Sequence, residues 1–187
     1  MFKPQAIYFE PNIKNYELGR QLMSKYKDIP KFEIENHNNI EEMRNKPNKE
    51  FANMKKNLII GIRKTHKFVE NHKTSDFLVP YTSSGCTASC LYCYLVCNYN
   101  KCSYLRLFVN REQMLDKIIK TAEKADKNLN FEIGSNSDLI LENTITNNLN
   151  KYYASEGKSR NKNMGILWIT LSIIGVVIIL FAIKKRN

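Results

Sequence analysis

Apolar and polar residues fall in short blocks along this chain, and the period of each block predicts an element. Residues 5–10 (QAIYFE) read as a short strand. Leu18, Leu22 and Tyr26 recur at helical spacing within residues 16–26 and give that helix one apolar face. Residues 32–34 (FEI) predict a second strand. Residues 36–57 are polar, rich in Asn and Lys and broken by Pro47, which predicts a helix fragment between loops. Residues 58–62 (LIIGI) and 77–81 (FLVPY) predict two further strands. Residues 104–109 (YLRLFV) alternate as a strand does. Met114, Leu115, Ile118, Ile119, Ala122 and Ala125 then form a stripe along a helix over 112–127, with Asn110 as its N-cap. Residues 131–133 (FEI) predict a strand and 139–153 a helix. Strand, loop, helix and strand in that order build a parallel α/β sheet or barrel.

The closing blocks differ in kind. Residues 154–163 (ASEGKSRNKN) are small and charged and read as a linker. Residues 164–183 (MGILWITLSIIGVVIILFAI) contain no charge. As a helix they span about 30 Å, the thickness of a bilayer's hydrocarbon. Trp168 lies near one end and Lys184, Lys185 and Arg186 flank the other, so the pattern predicts a transmembrane helix. Lys158, Arg160 and Lys162 precede it, so basic residues flank both ends and give it no orientation. This predicts a protein anchored in a membrane, its polar part in the cytoplasm.

Charge adds a candidate partner. The 187 residues carry 29 Lys and Arg against 18 Asp and Glu, a net charge of +11. All of the acids precede residue 164, and residues 1–163 keep a net +8. That excess suits a polyanion such as DNA, and equally a lysine-rich solvated surface. Arg63, Lys64 and Lys67 either contact phosphates or line a solvated loop. His37, His66 and His72 lack ligand spacing and read as surface histidines.

Chemistry is concentrated in residues 82–94 (TSSGCTASCLYCY). All five cysteines lie between Cys86 and Cys102, and Cys86, Cys90 and Cys93 are spaced C-x-x-x-C-x-x-C. The first residues after Met1 do not form a signal peptide's apolar core, so a metal centre in a reducing compartment fits better than disulfides. Soft sulfur ligands select iron–sulfur clusters, zinc or Cu(I). Three cysteines on a four-iron cluster leave one iron open to a small chelating molecule. Cys97 and Cys102 lie close enough in sequence to complete a zinc site instead. Gly85 frees the backbone just before the first thiol, on a loop leaving the C-terminal end of a predicted strand.

The cysteine spacing, with aromatic Tyr92 before the last thiol, resembles the radical S-adenosylmethionine (SAM) superfamily. Further segments sharpen the likeness: YFEP at 8–11, GIRKT at 61–65, Tyr-Cys-Tyr-Leu ending at Leu95, Tyr104 with Arg106, Val109 with Asn110, and Ser137 with Asp138. Together, from about Ile7 to about Lys158, they resemble the N-terminal part of the spore photoproduct lyase family. The resemblance implies an α/β region over 1–76 and the first β/α units of a partial radical-SAM barrel over 77–153. It implies a 4Fe–4S cluster on Cys86, Cys90 and Cys93, with Tyr92 and Ser137 beside SAM. The family's substrate is DNA carrying a methylene-bridged thymine dimer. Its chemistry begins when an electron donor of flavodoxin or ferredoxin type reduces the cluster. SAM is then cleaved to a 5′-deoxyadenosyl radical, which takes hydrogen from the lesion, and the bridge breaks to restore two thymines. Tyr94 would relay the returning hydrogen.

Two departures stand out. The family's hydrogen-donor cysteine falls on Ser135, whose O–H bond is too strong for that role, which leaves Cys97 and Cys102 as candidate catalytic thiols. The resemblance ends before a barrel is complete. The expectation is a truncated or fused reading frame of impaired activity, with Met164 as the start of an unrelated membrane protein, unless a second polypeptide completes the barrel. A deliberate tail anchor is the alternative origin, and a membrane-anchored, non-catalytic metal-binding protein the alternative function. Family relatives are expected in the cytoplasm of the spore core.

Overall fold

The computed structural model describes residues 2–47, 50–71, 76–90, 95, 104–127, 129–134, 137–147, 168–171 and 177–182. The first sheet grows from the strongest apolar runs. Strands β1 (Ile7–Phe9), β2 (Lys31–Glu33) and β3 (Leu58–Gly61) run parallel, with β1 in the middle, so that Tyr8 lies opposite both Phe32 and Ile59. Further along the chain, β4 (Val69–Asn71), β5 (Phe77–Val79) and β6 (Ser83–Ser84) precede β7 (Arg106–Phe108). Strand β7 pairs parallel with β3, and β6 pairs antiparallel with β7, giving the order β2-β1-β3-β7-β6.

Alternation along these strands feeds two separate cores. Ile7, Phe9, Leu58, Ile60, Leu105, Leu107 and Val109 face one side, while Tyr8, Ile59 and Tyr104 face the other. Helix α1 (Glu17–Lys25) covers the first side through Leu18 and Leu22, continued by Tyr26, which is the stripe the sequence predicts. Two single-turn helices, α2 (Glu41–Arg44) and α3 (Phe51–Met54), cover the second side through Met43, Met54 and the preceding Ile40. Parallel strands buried on both faces need a continuous apolar sequence, and residues 58–60 supply it.

The order β2-β1-β3 reverses direction at β1, and α/β sheets open a crevice at the carboxyl ends of the strands flanking such a reversal. Glu10 follows β1 there, and Ile62 follows β3. The Glu10 carboxylate accepts bonds from His37 N, His37 Nδ1 and Ile62 N at 2.9, 2.7 and 2.9 Å. His37 is buried under Phe108, not on the surface as its sequence context suggests. Against an ionised Glu10 its ring carries the proton on Nδ1. Gly61 makes room for that ring, since a Cβ at 61 would stand 2.7 Å from His37 Nδ1. Gly61→Ala is therefore expected to cost about 2 kcal/mol through overpacking, read as a lower denaturant midpoint with an unchanged slope.

The second sheet has the order β4-β5-β8-β10-β9, where β8 is Asn130–Ile133, β9 is Trp168–Leu171 and β10 is Val177–Ala182. Helix α4 (Arg111–Lys124) lays Met114 and Ile118 on the fully buried Phe131, with Phe68 edge-on to the same ring. The cap at the start of α4 differs from expectation. Asn110 occupies the cap position, but its amide makes no capping bond. It bonds Arg63 N, Arg63 O, His66 and Gln113 instead, tying the end of β3 to the end of β7.

The transmembrane helix expected over 164–183 does not form over the described residues of that segment. Its described residues form β9 and β10, antiparallel to each other, with β10 antiparallel to β8. No helix among the described residues is long and apolar enough to cross a membrane. The physical reason lies in the side chains. Seven of these ten residues, Trp168, Ile169, Thr170, Val177, Ile178, Ile179 and Phe181, are β-branched or aromatic and favour strands. An unbroken apolar run suits a sheet-centre strand as well as a lipid-facing helix, and hydropathy alone does not separate the two.

Candidate metal centre

The chain enters the cysteine loop from β6. Ser83 and Ser84 are buried, and Gly85 takes a positive φ of 82°, a conformation that favours glycine. The turn delivers Cys86 into a buried position, with its Sγ accepting a bond from Ala88 N at 3.3 Å. Cys90 ends the first spacing and is exposed, and neither thiol is in a disulfide. Burial pushes the Cys86 thiol up, although the Ala88 N–H and the Lys55 ammonium both favour its thiolate. Leu95, just beyond the motif, is buried. Cys93, Cys97, Cys102, Tyr92, Tyr94 and Ser135 lie outside the described residues. Among the described residues no three metal-binding side chains converge.

A second strand end closes on this loop. The turn after β8 runs through Gly134, at a φ of 91°, and brings Ser137 into a parallel bridge with Gly85. Residues 52 positions apart in sequence thus become backbone neighbours at the first cysteine. The Ser137 Oγ is buried and has no hydrogen-bond partner among the described residues. Asp138 then caps helix α5 (Leu139–Thr146), accepting from Ile140 N and Leu141 N at 3.0 Å each. The two described thiols, Cys86 buried and Cys90 exposed four residues on, are soft donors of the type an iron–sulfur cluster or zinc takes.

The support beneath the loop is ionic. Glu142 on α5 is buried, with Oε1 on Arg111 of α4 at 2.5 Å. Its Oε2 accepts from the hydroxyls of Ser83 and Thr82 on the strand leading to Gly85. From the other side, Arg106 Nη2 donates to Ser84 Oγ at 3.0 Å. Lys55, just past α3, donates from Nζ to the Ala88 carbonyl at 2.6 Å. None of Glu142, Arg111 and Lys55 emerges from the sequence as a functional residue. Glu142 did leave a trace, since it falls on the buried stripe of Leu139 and Ile145, where a charge demands a partner. Lys55 sits in a polar stretch and left none. In the basic run, Arg63 lies over the Tyr81 ring at 4.5 Å and donates to Thr65 O, so it is engaged within the fold.

Known proteins match this arrangement. The family model described as spore photoproduct lyase matches residues 2–169. The chain is 32% identical over 163 residues to the spore photoproduct lyase of Bacillus subtilis, covering 84% of this chain and 47% of that protein. It is 29% identical to that of a Geobacillus species, covering 80% of this chain and 45% of that protein. It thus spans about half the length of the curated relatives it matches. Among solved structures, a spore photoproduct lyase complexed with dinucleoside spore photoproduct superposes with a TM-score of 0.73 at 28% identity, over 81% of this chain and 45% of that one. A variant lyase with bound AdoMet and the same dinucleoside gives an equal score and coverage. The family model spans well over half of the chain, and the mixed α/β fold matches that of the solved lyases: the chain belongs to the spore photoproduct lyase family.

Proposed function

We propose that this chain carries the cluster- and SAM-binding part of a DNA repair lyase acting on the methylene-bridged thymine dimer. Cys86, Cys90 and Cys93 hold a 4Fe–4S cluster in this reading, within a partial radical-SAM barrel. The observation that carries it is the bridge between Gly85 and Ser137, which sets beside the first cysteine a buried hydroxyl with no partner among the described residues. When bound and reduced by a flavodoxin or ferredoxin, the cluster supplies the electron that turns SAM into a source of a carbon-centred radical. The chain's own residues do the positioning. Gly85 turns the backbone so that Cys86 points into the site. The Ser137 hydroxyl orients SAM by a hydrogen bond, and Tyr92 flanks it. Tyr94, with Cys97 or Cys102 in place of a thiol at Ser135, returns hydrogen to the repaired base. The net positive surface attracts the DNA backbone.

Anaerobic reconstitution of the full chain with iron and sulfide is expected to give a brown protein with about four irons per chain. Dithionite should bleach it, and SAM should alter the EPR signal of the reduced cluster. Cys86→Ala and Cys90→Ala should each abolish that signal. Any return of the dinucleoside photoproduct to two thymines should require SAM and be slow, because the chain spans about half the length of its relatives. A colourless protein binding one zinc on four protein ligands would overturn the reading.

A further inference from the structure

The polar stretch before β3 contributes one side chain to the cysteine loop, and the reading above gives it no role. Lys55 is 1% exposed although it carries an ammonium group. Its Nζ lies 2.6 Å from the Ala88 carbonyl and 5.4 Å from the centre of the Phe51 ring. Ala88 is the middle residue between Cys86 and Cys90, and its own N–H bonds the Cys86 sulfur. One residue of the loop is therefore gripped by a buried cation at its carbonyl and touches the first thiol through its amide.

Two consequences follow from elementary electrostatics. A donor on the Ala88 carbonyl fixes the Ala88–Ser89 peptide plane, which leads directly into Cys90, while the Ala88 N–H on the Cys86 sulfur belongs to the peptide unit before it. A buried positive charge also acts through a medium of low dielectric, where its field reaches a neighbouring centre with little screening. Three thiolates and a cluster gain one further negative charge on reduction, and a fixed cation favours that form. Hydrogen bonds and charge next to the sulfurs are established controls of cluster potential.

We propose that Lys55 is a positioning residue of the cluster site, one that fixes the loop from Cys86 to Cys90 and raises the reduction potential of the cluster it holds. The inference rests on the cluster reading above, and it reaches beyond the cysteine motif to the N-terminal sheet's own helices. Those helices then support the redox centre directly as well as covering a core. Lysine suits both tasks, whereas a neutral donor at the same place would perform only the first.

The test compares Lys55→Met, Lys55→Gln and Lys55→Arg in the full chain, reconstituted anaerobically and titrated with dithionite under EPR. Lys55→Gln keeps a donor and removes the charge, and Lys55→Arg keeps both. Lys55→Met and Lys55→Gln are each expected to lower the ratio of reduced to oxidised cluster about tenfold at a fixed potential. For one electron that is a midpoint about 59 mV more negative. Lys55→Arg should stay within about twofold of the unsubstituted chain, equivalent to under about 20 mV. Full iron content with an unmoved midpoint in Lys55→Met would overturn the inference and leave the cluster reading intact. Equal loss in Lys55→Arg and Lys55→Met would also overturn it, since charge would then be irrelevant. So would collapse of the apo fold in both Lys55→Met and Lys55→Gln, which would assign the residue to folding alone. If the unsubstituted chain takes up no cluster, the cluster reading fails first and the inference falls with it.

Discussion

Glu142→Ala is expected to destabilise the fold by about 3–5 kcal/mol, the cost of leaving one member of a buried ion pair without its partner. The side chains of Arg111 and Glu142 are only 6% and 3% exposed, so water does not replace the lost carboxylate. The same substitution strips an acceptor from the hydroxyls of Ser83 and Thr82, which hold the strand ahead of the cysteine loop. A chain of this size loses about 2–4 °C of melting temperature per kcal/mol, so a fall of about 10 °C should appear in a thermal melt. Glu142→Gln keeps the volume and a carbonyl acceptor, and it should recover part of the loss. The paired change Arg111→Met with Glu142→Leu removes both charges together and should cost less than Glu142→Ala alone. If the two single changes simply add in the double variant, the pair is uncoupled and its assigned role is wrong.

Much of this fold was legible because short apolar runs dominate it. The stripe of Leu18, Leu22 and Tyr26, the run from Leu58 to Ile60 and the stripe through Met114 and Ile118 all lie where their periods predict. The cysteine motif was legible for another reason: soft ligands crowded into a loop are rare, and Gly85 marks the turn. Three things were not legible. Strand order is set by which faces find cover, so nothing local reveals that β7 lies beside β3. The burial of Lys55, Glu10 and Glu142 has no local signature, because it depends on elements distant in sequence. The C-terminal apolar run satisfied the hydropathy of a membrane helix, and only its pairing with β8 separates the two forms.

The buried charges share a setting. They all sit where two elements distant in sequence meet: Glu10 with Ile62, Arg111 with Glu142, and Lys55 with Ala88. Each compensates polar atoms at the carboxyl ends of strands or in the loop they feed. A sequence pattern reports the period of one element, whereas these groups answer to the junction of two.

Glu10 offers the clearest test of that view, and the effect is expected in acid. Burial alone would push its carboxyl up, but bonds from the His37 ring, His37 N and Ile62 N outweigh this and hold it below the ordinary glutamate range. In the unfolded chain those donors are gone, and the group titrates near about 4.3. The folded state therefore binds fewer protons than the unfolded state between the two values. The stability contributed by Glu10 is complete above the unfolded value and is lost as pH falls through the lower, folded one. Glu10→Gln replaces one oxygen by an NH2 group, which must face either His37 or the Ile62 N–H as a second donor. A buried unsatisfied donor costs about 1–3 kcal/mol and a lost charge-assisted bond adds a similar amount, so about 3 kcal/mol is expected at neutral pH. That gap should narrow as pH drops below the glutamate range, because the parent's carboxyl then becomes neutral as well. Urea melts of both proteins across that range read the gap directly, and a gap that stays constant into acid would show that Glu10 is not the ionised acceptor of these three bonds.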